Sequence, residues 1–318
     1  MNARQQLVRR AFFRGGDLTL DNAEYRNFVQ EFCDLLLRSD NGSNDLSVKS
    51  LGLPAGQSVA RIIAKGAGTL AGLAEFEWLY RRSGVSIELH KKDGDSVQPG
   101  DIVGEIRGDS ASLLSLERVG LNLIQRMSGI ATATRRLQQV VEQHSDSTWV
   151  IGTRKTLWGA LDKRALHLGG GGTHRLSLGD AIIIKNNHLR LFGSTEQEAV
   201  PKALERAWRH REGAIFIDVE VRSPEAAVIA GKAFQQLTKR ESTPFPCVIM
   251  FDNFTVPTAR EAVRTLQAEG LWGSVLTEIS GGVTEATIAE FAATRVDVIS
   301  VGALTHSVKA LDLSQTFE

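Results

Sequence analysis

The 318-residue sequence is poor in cysteine and has no excess charge, and both shortages narrow the classes of protein it can belong to. Cys33 and Cys247 are the only cysteines, which excludes a framework stapled by several disulfides. Lysine plus arginine and aspartate plus glutamate each total 37, so the formal net charge is zero. This argues against partners such as nucleic acids or acidic membranes, which need a net basic surface. It does not exclude a local cluster of one sign.

Long apolar runs and targeting signals are also missing. No stretch of 18 apolar residues occurs, so the sequence predicts no transmembrane helix. The N-terminus is basic, with Arg4, Arg9, Arg10 and Arg14 preceding Asp17, which could describe a transit peptide, but this stretch contains no serine. It also lacks the apolar core and the small-residue cleavage site of a secretory signal. We predict a short basic N-terminal helix and a cytoplasmic protein in which the two cysteines are reduced and serve packing.

Two kinds of pattern divide the chain. Up to about residue 110, short strands and glycine-rich turns mix with helical segments such as 21–38 and 71–80, which indicates a small α+β domain. Residues 112–142 predict two helices, interrupted at Gly120 or Ser128-Gly129. Further on, apolar runs alternate with amphipathic helices, as in parallel sheets covered on both faces. The six predicted strands are Trp149–Ile151, Ala181–Ile184, Ile215–Val219, Val248–Phe251, Val275–Ile279 and Val296–Val301.

Six strands are fewer than the eight of a complete α/β barrel. The open possibilities are a barrel with missing strands and an open doubly wound sheet. No G-x-G-x-x-G motif follows a first strand, which weakens the dinucleotide-binding version of the open sheet.

Polar residues follow the predicted strands in an ordered way. The first two strand ends are cationic, the next two are anionic, and the last two are rich in glycine. In strand order the residues are Thr153, Arg154 and Lys155; Lys185; Glu220; Asp252; Ser280, Gly281 and Gly282; and Gly302. In α/β barrels the site lies at these carboxyl ends. Cations bind carboxylates or phosphates, carboxylates hold Mg²⁺ or sugar hydroxyls, and glycine loops offer backbone N–H groups to phosphate.

Each of these features alone fits a surface charge, a helix cap or a loop, but their joint occurrence favours a site for a phosphorylated sugar and a second anion. The run Gly169–Gly172 indicates close backbone approach or a mobile loop, and His174 and Arg175 directly after it add cationic character. The histidines His144, His210 and His306 are interpreted as structural, because no zinc-ligand spacing is present.

The order of short motifs resembles the quinolinate phosphoribosyltransferases from about residue 44 to residue 314. The motifs are 68–72, 94–95, 117–122, 128–132, 153–156 (Thr-Arg-Lys-Thr), 170–175 (Gly-Gly-Gly-Thr-His-Arg), 184–188 (Ile-Lys-Asn-Asn-His), 220–221, 252–253, 280–283 (Ser-Gly-Gly-Val) and 300–306. The resemblance implies an N-terminal α/β sandwich domain, here 1–127 with an N-terminal extension. It also implies an incomplete α/β barrel of six or seven strands, here 128–318, and a homodimer.

The resemblance also implies roles for individual residues. Quinolinate and part of 5-phosphoribosyl 1-diphosphate would be bound by Thr153, Arg154, Lys155, His174, Arg175 and Lys185, with Arg118 reaching into the partner's site. Lys155, Lys185, Glu220 and Asp252 would be catalytic. Glu220 and Asp252 would also hold Mg²⁺, directly or indirectly, and the 5-phosphate would lie on Ser280, Gly281, Gly282 and Gly302.

Two departures from the family pattern concern specificity. Leu157-Trp158-Gly159-Ala160-Leu161 replaces the usual Thr-Pro-Gly-Leu-Arg, and Asn186 stands where an acidic residue is common before Asn-His. The alternatives are a relative of the same fold that uses another substrate, such as the homologue associated with molybdate transport or a nicotinate enzyme, and a non-enzymatic barrel that binds a phosphate ligand. The last would not need Glu220 and Asp252 at the barrel mouth.

Overall fold

The structure is a computed structural model that describes residues 2–40, 44–53, 56–239 and 241–318. Its internal contacts define two compact units, each built from three segments. We call them the barrel unit, which comprises Met1–Arg14, Arg136–Lys155 and Gly171–Ala303, and the sheet unit, which comprises Gly15–Arg135, Thr156–Gly170 and Leu304–Glu318. The sequence predicted one boundary after residue 127. That boundary stays a prediction. In the structure, the first helix packs in the barrel unit and the last strand pairs in the sheet unit.

The sheet unit contains an antiparallel sheet in the order β12-β1-β5-β3. Its strands are β1 (Gln57–Ala64), β3 (Ser86–Leu89), β5 (Ile102–Asp109) and β12 (Leu313–Phe317), and a second ladder joins β2 (Gly68–Thr69) to β4 (Ser96–Val97). Its helices are α2 (Ala23–Asp40), α3 (Leu46–Leu51), α4 (Leu73–Arg82) and α6 (Ala160–Leu168). The predicted mixture of short strands and helices is confirmed.

A single helix, α5 (Ser110–Glu142), replaces the two helices predicted between residues 112 and 142. The glycines interpreted as breakers allow close approach instead. A Cβ at Gly120 would lie 2.5 Å from the Tyr80 ring, and one at Gly129 would lie 2.3 Å from the Lys309 carbonyl oxygen. The helix therefore accepts the cost of two glycines, about 1 kcal/mol each, because larger residues would collide with neighbouring chain.

The barrel unit contains six parallel strands in the order β6-β11-β10-β9-β8-β7. They are β6 (Trp149–Ile151), β7 (Ile182–Ile184), β8 (Ile217–Val221), β9 (Cys247–Asp252), β10 (Leu276–Ser280) and β11 (Val298–Ser300). Strands consecutive in sequence are neighbours from β7 to β11, and β6 pairs with β11. The predicted incomplete barrel with six strands is confirmed. Its open seam lies between β6 and β7, where Ile151 makes an isolated bridge with Gly172.

Helices α7 (Asn186–Leu189), α8 (Glu196–Arg209), α9 (Pro224–Thr238), α10 (Val256–Ala268) and α11 (Ile288–Ala292) alternate with these strands, and α12 (Ala303–His306) follows β11. Local chemistry sets several of the boundaries. The hydroxyls of Thr195, Ser223 and Thr255 accept N-terminal backbone hydrogen bonds of α8, α9 and α10.

The first helix, α1 (Ala3–Phe12), is the basic helix predicted at the N-terminus. Val8, Ala11 and Phe12 are buried against Ile151 at the end of β6 and against residues at or next to the beginnings of the other five strands, namely Ala181, Phe216, Val248, Leu276 and Val298. The helix thus closes the amino end of the barrel with an apolar plug. Its polar side is fixed by Arg4, whose guanidinium contacts both oxygens of Asp297 at 2.6 Å.

Both cysteines are buried free thiols, which confirms their predicted packing role. Burial raises the pKa of Cys33 to about 12 and raises that of Cys247 as well, so neither is poised as a thiolate nucleophile. Among the described residues, no helix is both long enough and apolar enough to cross a membrane.

Candidate active site

The inner positions of the barrel strands form two polar levels, because residues two apart in a strand point to the same side. On β8, Asp218 and Glu220 alternate with Val219 and Val221. Asp218 is fully buried, whereas the Glu220 side chain, nearer the carboxyl end, is 11% exposed. We call the deeper set, His174, Asp218, Glu278 and Ser300, the buried polar layer. The outer set, Arg154, Lys155, Lys185, Glu220 and Asp252, is the charged rim.

His174 belongs to the buried polar layer and is held on every side. Its backbone has a left-handed φ of 56°, and its N–H donates to the Phe12 carbonyl. The rings of Phe12 and Phe216 each lie 5.4 Å from the imidazole. The Arg175 N–H donates to His174 Nδ1 at 2.8 Å, so Nδ1 is unprotonated and the proton of the neutral ring resides on Nε2.

The protonated Nε2 of His174 points towards a carboxylate. It lies 3.3 Å from Glu278 Oε2, and the other carboxylate oxygen, Oε1, accepts a 2.5 Å hydrogen bond from Ser300. His174 was predicted to bind substrate. In the structure it is 4% exposed and faces Glu278.

Asp218 completes the layer without a hydrogen bond to either of its oxygens. Burial, and next the charges of Glu278 and Glu220, raise the pKa of this carboxyl well above its usual range. His174, Asp218 and Glu278 offer one donor atom each within 4.8 Å of one another, a spacing that a metal ion could bridge. The proton on His174 Nε2 opposes such a role, since a ligating nitrogen needs its lone pair free.

The cations of the first strand ends lie above this layer. Arg175 is buried, and its Nη1 donates to the Ala181 carbonyl at 2.9 Å. Burial, and next the charge of Arg154, lowers the pKa of Arg175. Arg154 is exposed and forms no ion pair with any residue that the structure describes, and Lys155 beside it is exposed as well. The two guanidiniums are therefore near enough for their positive charges to repel each other.

The rim continues at the ends of β7, β8 and β9. Lys185 precedes α7, and its Nζ lies 3.3 Å from Glu220 Oε1. The Asn186 Nδ2 donates to Glu220 Oε2 at 3.3 Å and to Asp252 Oδ2 at 3.2 Å. Arg222 Nε lies 3.5 Å from Asp252 Oδ2. The two predicted catalytic carboxylates are therefore neighbours, each accompanied by a cation.

The glycine turn after β10 is built by close approach to the end of β9. Gly281 and Gly282 have left-handed φ values of 91° and 65°. A Cβ at Gly281 would lie 2.2 Å from Asn253 Oδ1, and the Asn253 N–H donates to the Ser280 carbonyl at 2.8 Å. A Cβ at Gly282 would meet nothing within 4 Å, so the backbone there borders open space. Gly302, which is half-buried, lies two residues after the end of β11.

The two ends of the run Gly169–Gly172 are packed, so the prediction of close backbone approach is confirmed there. A Cβ at Gly169 would lie 2.5 Å from the Ala131 carbonyl oxygen, and one at Gly172 would lie 2.5 Å from Ile151 Cγ2. Arg118, predicted for a partner's site, lies on α5 in the sheet unit with a side chain 58% exposed.

Sequence reasoning did not assign site roles to Glu278, Asp218 and Arg222. The sequence shows Glu278 and Asp218 as acidic residues inside apolar strands. Burying a carboxylate there costs free energy, and this cost was the signal that could have identified them as site residues. Arg222 carried no such signal, because it follows β8 like any surface arginine.

The departure at 157–161 from the family pattern has a structural counterpart in the sheet unit. The Trp158 ring lies 5.1 Å from Phe32 on α2 and 5.0 Å from the Arg126 guanidinium. Arg126 also makes a two-point contact with Asp162, at 2.9 and 2.8 Å. The unusual Leu-Trp segment and the helix α2 thus form one packed cluster.

A parallel barrel with paired cations, neighbouring carboxylates and glycine turns at its strand ends defines an enzyme of the phosphoribosyl-binding α/β barrel class. The models for the N-terminal and C-terminal domains of quinolinate phosphoribosyl transferase match residues 45–128 and 130–316. Together they span most of the chain, which therefore belongs to the quinolinate phosphoribosyltransferase family.

Individual relatives agree with this assignment. A protein of Archaeoglobus fulgidus, named a probable nicotinate-nucleotide pyrophosphorylase (carboxylating), is 39% identical over 264 residues, which cover 82% of this chain and 95% of its own. A mitochondrial quinolinate phosphoribosyltransferase (decarboxylating) of Nicotiana glauca is 34% identical over 300 residues, covering 90% and 81%. The solved nicotinate-nucleotide pyrophosphorylase of Francisella tularensis gives a TM-score of 0.79 at 29% identity, covering 92% of this chain and 96% of that chain.

Proposed function

We propose that this protein transfers the phosphoribosyl group of 5-phosphoribosyl 1-diphosphate to quinolinate, yielding nicotinate mononucleotide, diphosphate and carbon dioxide in NAD biosynthesis. The observation that carries the proposal is the charged rim, in which exposed cations stand beside two neighbouring carboxylates. A dicarboxylate substrate needs the cations, and a ribose that becomes positively charged needs the carboxylates. Membership of the family supports the same reaction.

The cations would act on quinolinate before any bond changes. Arg154 and Arg175 are placed to bind its carboxylates, and Thr153, Lys155 and Lys185 extend the cationic surface towards the diphosphate. Because the guanidinium of Arg175 is fixed by the Ala181 carbonyl, its position is set before the ligand arrives.

The pyridine nitrogen would then form a bond to the anomeric carbon while the bond from that carbon to diphosphate breaks. Positive charge develops on the ribose, and Glu220 and Asp252 are placed to stabilise it. The pyridinium formed accepts the electron pair left when the 2-carboxylate departs as carbon dioxide, and a proton from solvent takes its place at the ring carbon. No general acid from the protein is required for the glycosyl transfer.

Mg²⁺ is part of the proposal, and the rim suits it, because carboxylate oxygens are its preferred protein ligands. Glu220 and Asp252 would hold it. Glu220 Oε2 and Asp252 Oδ2 already accept hydrogen bonds from Asn186, which favours contact through water. When bound, Mg²⁺ would neutralise charge on the leaving diphosphate.

The 5-phosphate is assigned to the turns at Ser280, Gly281, Gly282 and Gly302, where open space at Gly282 supports the assignment. A homodimer in which the exposed Arg118 completes the site of a second copy belongs to the same proposal. So does a cytoplasmic location, in keeping with two free thiols.

The test is to incubate the protein with quinolinate, 5-phosphoribosyl 1-diphosphate and Mg²⁺ and to measure nicotinate mononucleotide and carbon dioxide. Both products should appear in equal amounts and should require all three additions. Product from nicotinate but not from quinolinate would assign the chain to the rival substrate. Ligand binding without any product would favour the non-enzymatic barrel.

A further inference from the structure

Asn186 occupies a central place between the two rim carboxylates. Its backbone N–H donates to Glu220 Oε2 at 3.0 Å, and its side-chain Nδ2 donates to the same oxygen at 3.3 Å and to Asp252 Oδ2 at 3.2 Å. One residue at the end of β7 thereby joins carboxylates from the ends of β8 and β9. The strand order makes this possible, because β8 lies between β7 and β9.

The orientation of the Asn186 amide follows from its neighbours. Turning the amide over would direct its oxygen at two carboxylate oxygens, which offer no proton to share. With the nitrogen in that place, both amide protons have charged acceptors. Hydrogen bonds to charged groups are the stronger kind, so the side chain fixes the separation of Glu220 and Asp252.

Other side chains also contact the carboxylates of Glu220 and Asp252. Lys185 Nζ lies 3.3 Å from Glu220 Oε1, Arg222 Nε lies 3.5 Å from Asp252 Oδ2, and Asn253 Nδ2 donates to Asp252 Oδ1 at 3.0 Å. Lys185 thus lies at the Glu220 oxygen that Asn186 leaves free, whereas Arg222 and Asn186 share Asp252 Oδ2, and a neutral amide bridges the two carboxylates. An acidic residue at position 186, the common choice in the family pattern, would instead place a third negative charge between them.

We propose that Asn186 is a positioning residue that holds Glu220 and Asp252 together for the ribose by donating hydrogen bonds to both carboxylates. The inference rests on the proposed function, since it assigns the two carboxylates to the ribose. The side-chain hydrogen bonds of Asn186 described above go to the two carboxylates and not to Arg154 or Arg175. The role of Asn186 should therefore appear in turnover and in the use of 5-phosphoribosyl 1-diphosphate, and not in the binding of quinolinate.

The experiment compares wild type, Asn186→Ala, Asn186→Asp and Gln197→Ala. Gln197 lies exposed on α8, so its change removes an equivalent amide outside the site. For Asn186→Ala we expect kcat to fall about tenfold, as for the loss of a hydrogen bond to a charged group, and the KM for 5-phosphoribosyl 1-diphosphate to rise. The Kd for quinolinate, measured by calorimetry without the second substrate, should stay within about twofold of wild type, as no contact to quinolinate is removed. Gln197→Ala should match wild type.

Asn186→Asp has nearly the same shape but brings three carboxylates together. Its activity should be below that of wild type at low Mg²⁺ and should recover as Mg²⁺ is raised, because the cation then offsets the added charge. Asn186→Ala should show no such recovery. A kcat of Asn186→Ala equal to that of wild type would overturn the inference. So would a rise in the quinolinate Kd as large as the loss in kcat, or an Asn186→Asp enzyme equal to wild type at every Mg²⁺ concentration.

The two hypotheses fail in different ways. If the wild-type protein forms no nicotinate mononucleotide, the proposed function is wrong. If the wild type is active and Asn186→Ala is indistinguishable from it, only the role of Asn186 is wrong. Thermal unfolding of each variant shows whether a loss of activity is a loss of fold, and the near-isosteric Asn186→Asp decides the case if the alanine variant unfolds.

Discussion

The buried polar layer and the charged rim are two levels of the same barrel, but they differ in how far their side chains are exposed to solvent. In the layer, the Glu278 carboxylate accepts a hydrogen bond from the Ser300 hydroxyl and faces the His174 imidazole. All of these groups are at least 95% buried. In the rim, Lys185 is 54% exposed and Arg154 has no ion pair with any described residue. Buried charges are costly unless they are satisfied inside the protein, whereas exposed charges remain available to a ligand.

This difference separates groups that hold the site from groups that meet the substrate. His174 illustrates the point. Its sequence position beside Arg175 indicated a ligand-binding cation, but the Arg175 N–H donates to its Nδ1 and the ring is enclosed by Phe12 and Phe216. In the structure His174 Nδ1 thus holds the backbone of Arg175, and the substrate-binding role of His174 stays a prediction. The substitutions below test this division, beginning with the largest expected effect.

Removing the central acceptor of the layer should cost the most. Glu278→Ala leaves the Ser300 hydroxyl and the His174 Nε2 proton facing a void, and a buried polar group left without its partner costs about 1–3 kcal/mol of unfolding free energy. Urea unfolding measures the loss. Glu278→Gln, which retains an oxygen acceptor, should lose clearly less. If both variants are as stable as wild type, the layer does not hold the barrel interior together.

Removing a cation of the charged rim should weaken substrate binding and leave the stability of the fold unchanged. Arg154→Ala should raise the KM for quinolinate about 10- to 100-fold, as expected for loss of one cation from an anion site, and should leave the melting temperature unchanged. Arg260→Ala, an exposed arginine on α10, makes the same charge change away from the site and should leave the KM unaltered. Arg175→Ala should also raise the KM. Near-normal KM values in both Arg154→Ala and Arg175→Ala would contradict the assignment of quinolinate.

The rim could be predicted from the sequence more fully than the layer, for a physical reason. Apolar runs identify strands, and the parallel arrangement brings their carboxyl ends to one edge, so Lys185, Glu220 and Asp252 were predicted to be neighbours from chain position alone. Their proximity is confirmed. Contacts within the layer depend on which side chains meet across the barrel interior, and strand pattern does not specify that.

Predictions of turns and helix breaks from glycine positions were the least reliable. Gly281 and Gly282 form a turn, as predicted, but Gly120 and Gly129 lie inside α5, and the two ends of the run Gly169–Gly172 are packed. Glycine permits both a turn and a close approach, and only the neighbouring chain decides between them. The packing of α1 in the barrel unit and the pairing of β12 in the sheet unit likewise depend on contacts distant in sequence.

The pH dependence of stability gives a finer test of the layer. Burial and the neighbouring acids raise the pKa of Asp218, so the folded state favours its protonated form. That stability is fully present below the ordinary carboxyl pKa and is lost as the pH rises through the raised pKa of the folded state. Asp218→Asn, which cannot ionise, should therefore gain melting temperature relative to wild type more at pH 8 than at pH 5. The exposed Asp146→Asn should show no such difference, and a parallel pH profile for Asp218→Asn would show that Asp218 is charged in the fold.

The smallest effect is expected at Trp158, which lies only four residues after Arg154 and so tests whether nearness in sequence to the rim matters for substrate. Its ring is half-buried against Phe32, and pairs of this kind contribute about 0.5–1.5 kcal/mol beyond their burial. A double-mutant cycle of Trp158→Ala and Phe32→Ala should return a coupling of that size in unfolding free energy, because the two rings contact each other directly. The KM for quinolinate should stay at the wild-type value in both single variants, since the contacts of Trp158 described above lie within the sheet unit. A KM that rises in Trp158→Ala as in Arg154→Ala would place this segment in the substrate site and would move the limit of the charged rim beyond Lys155.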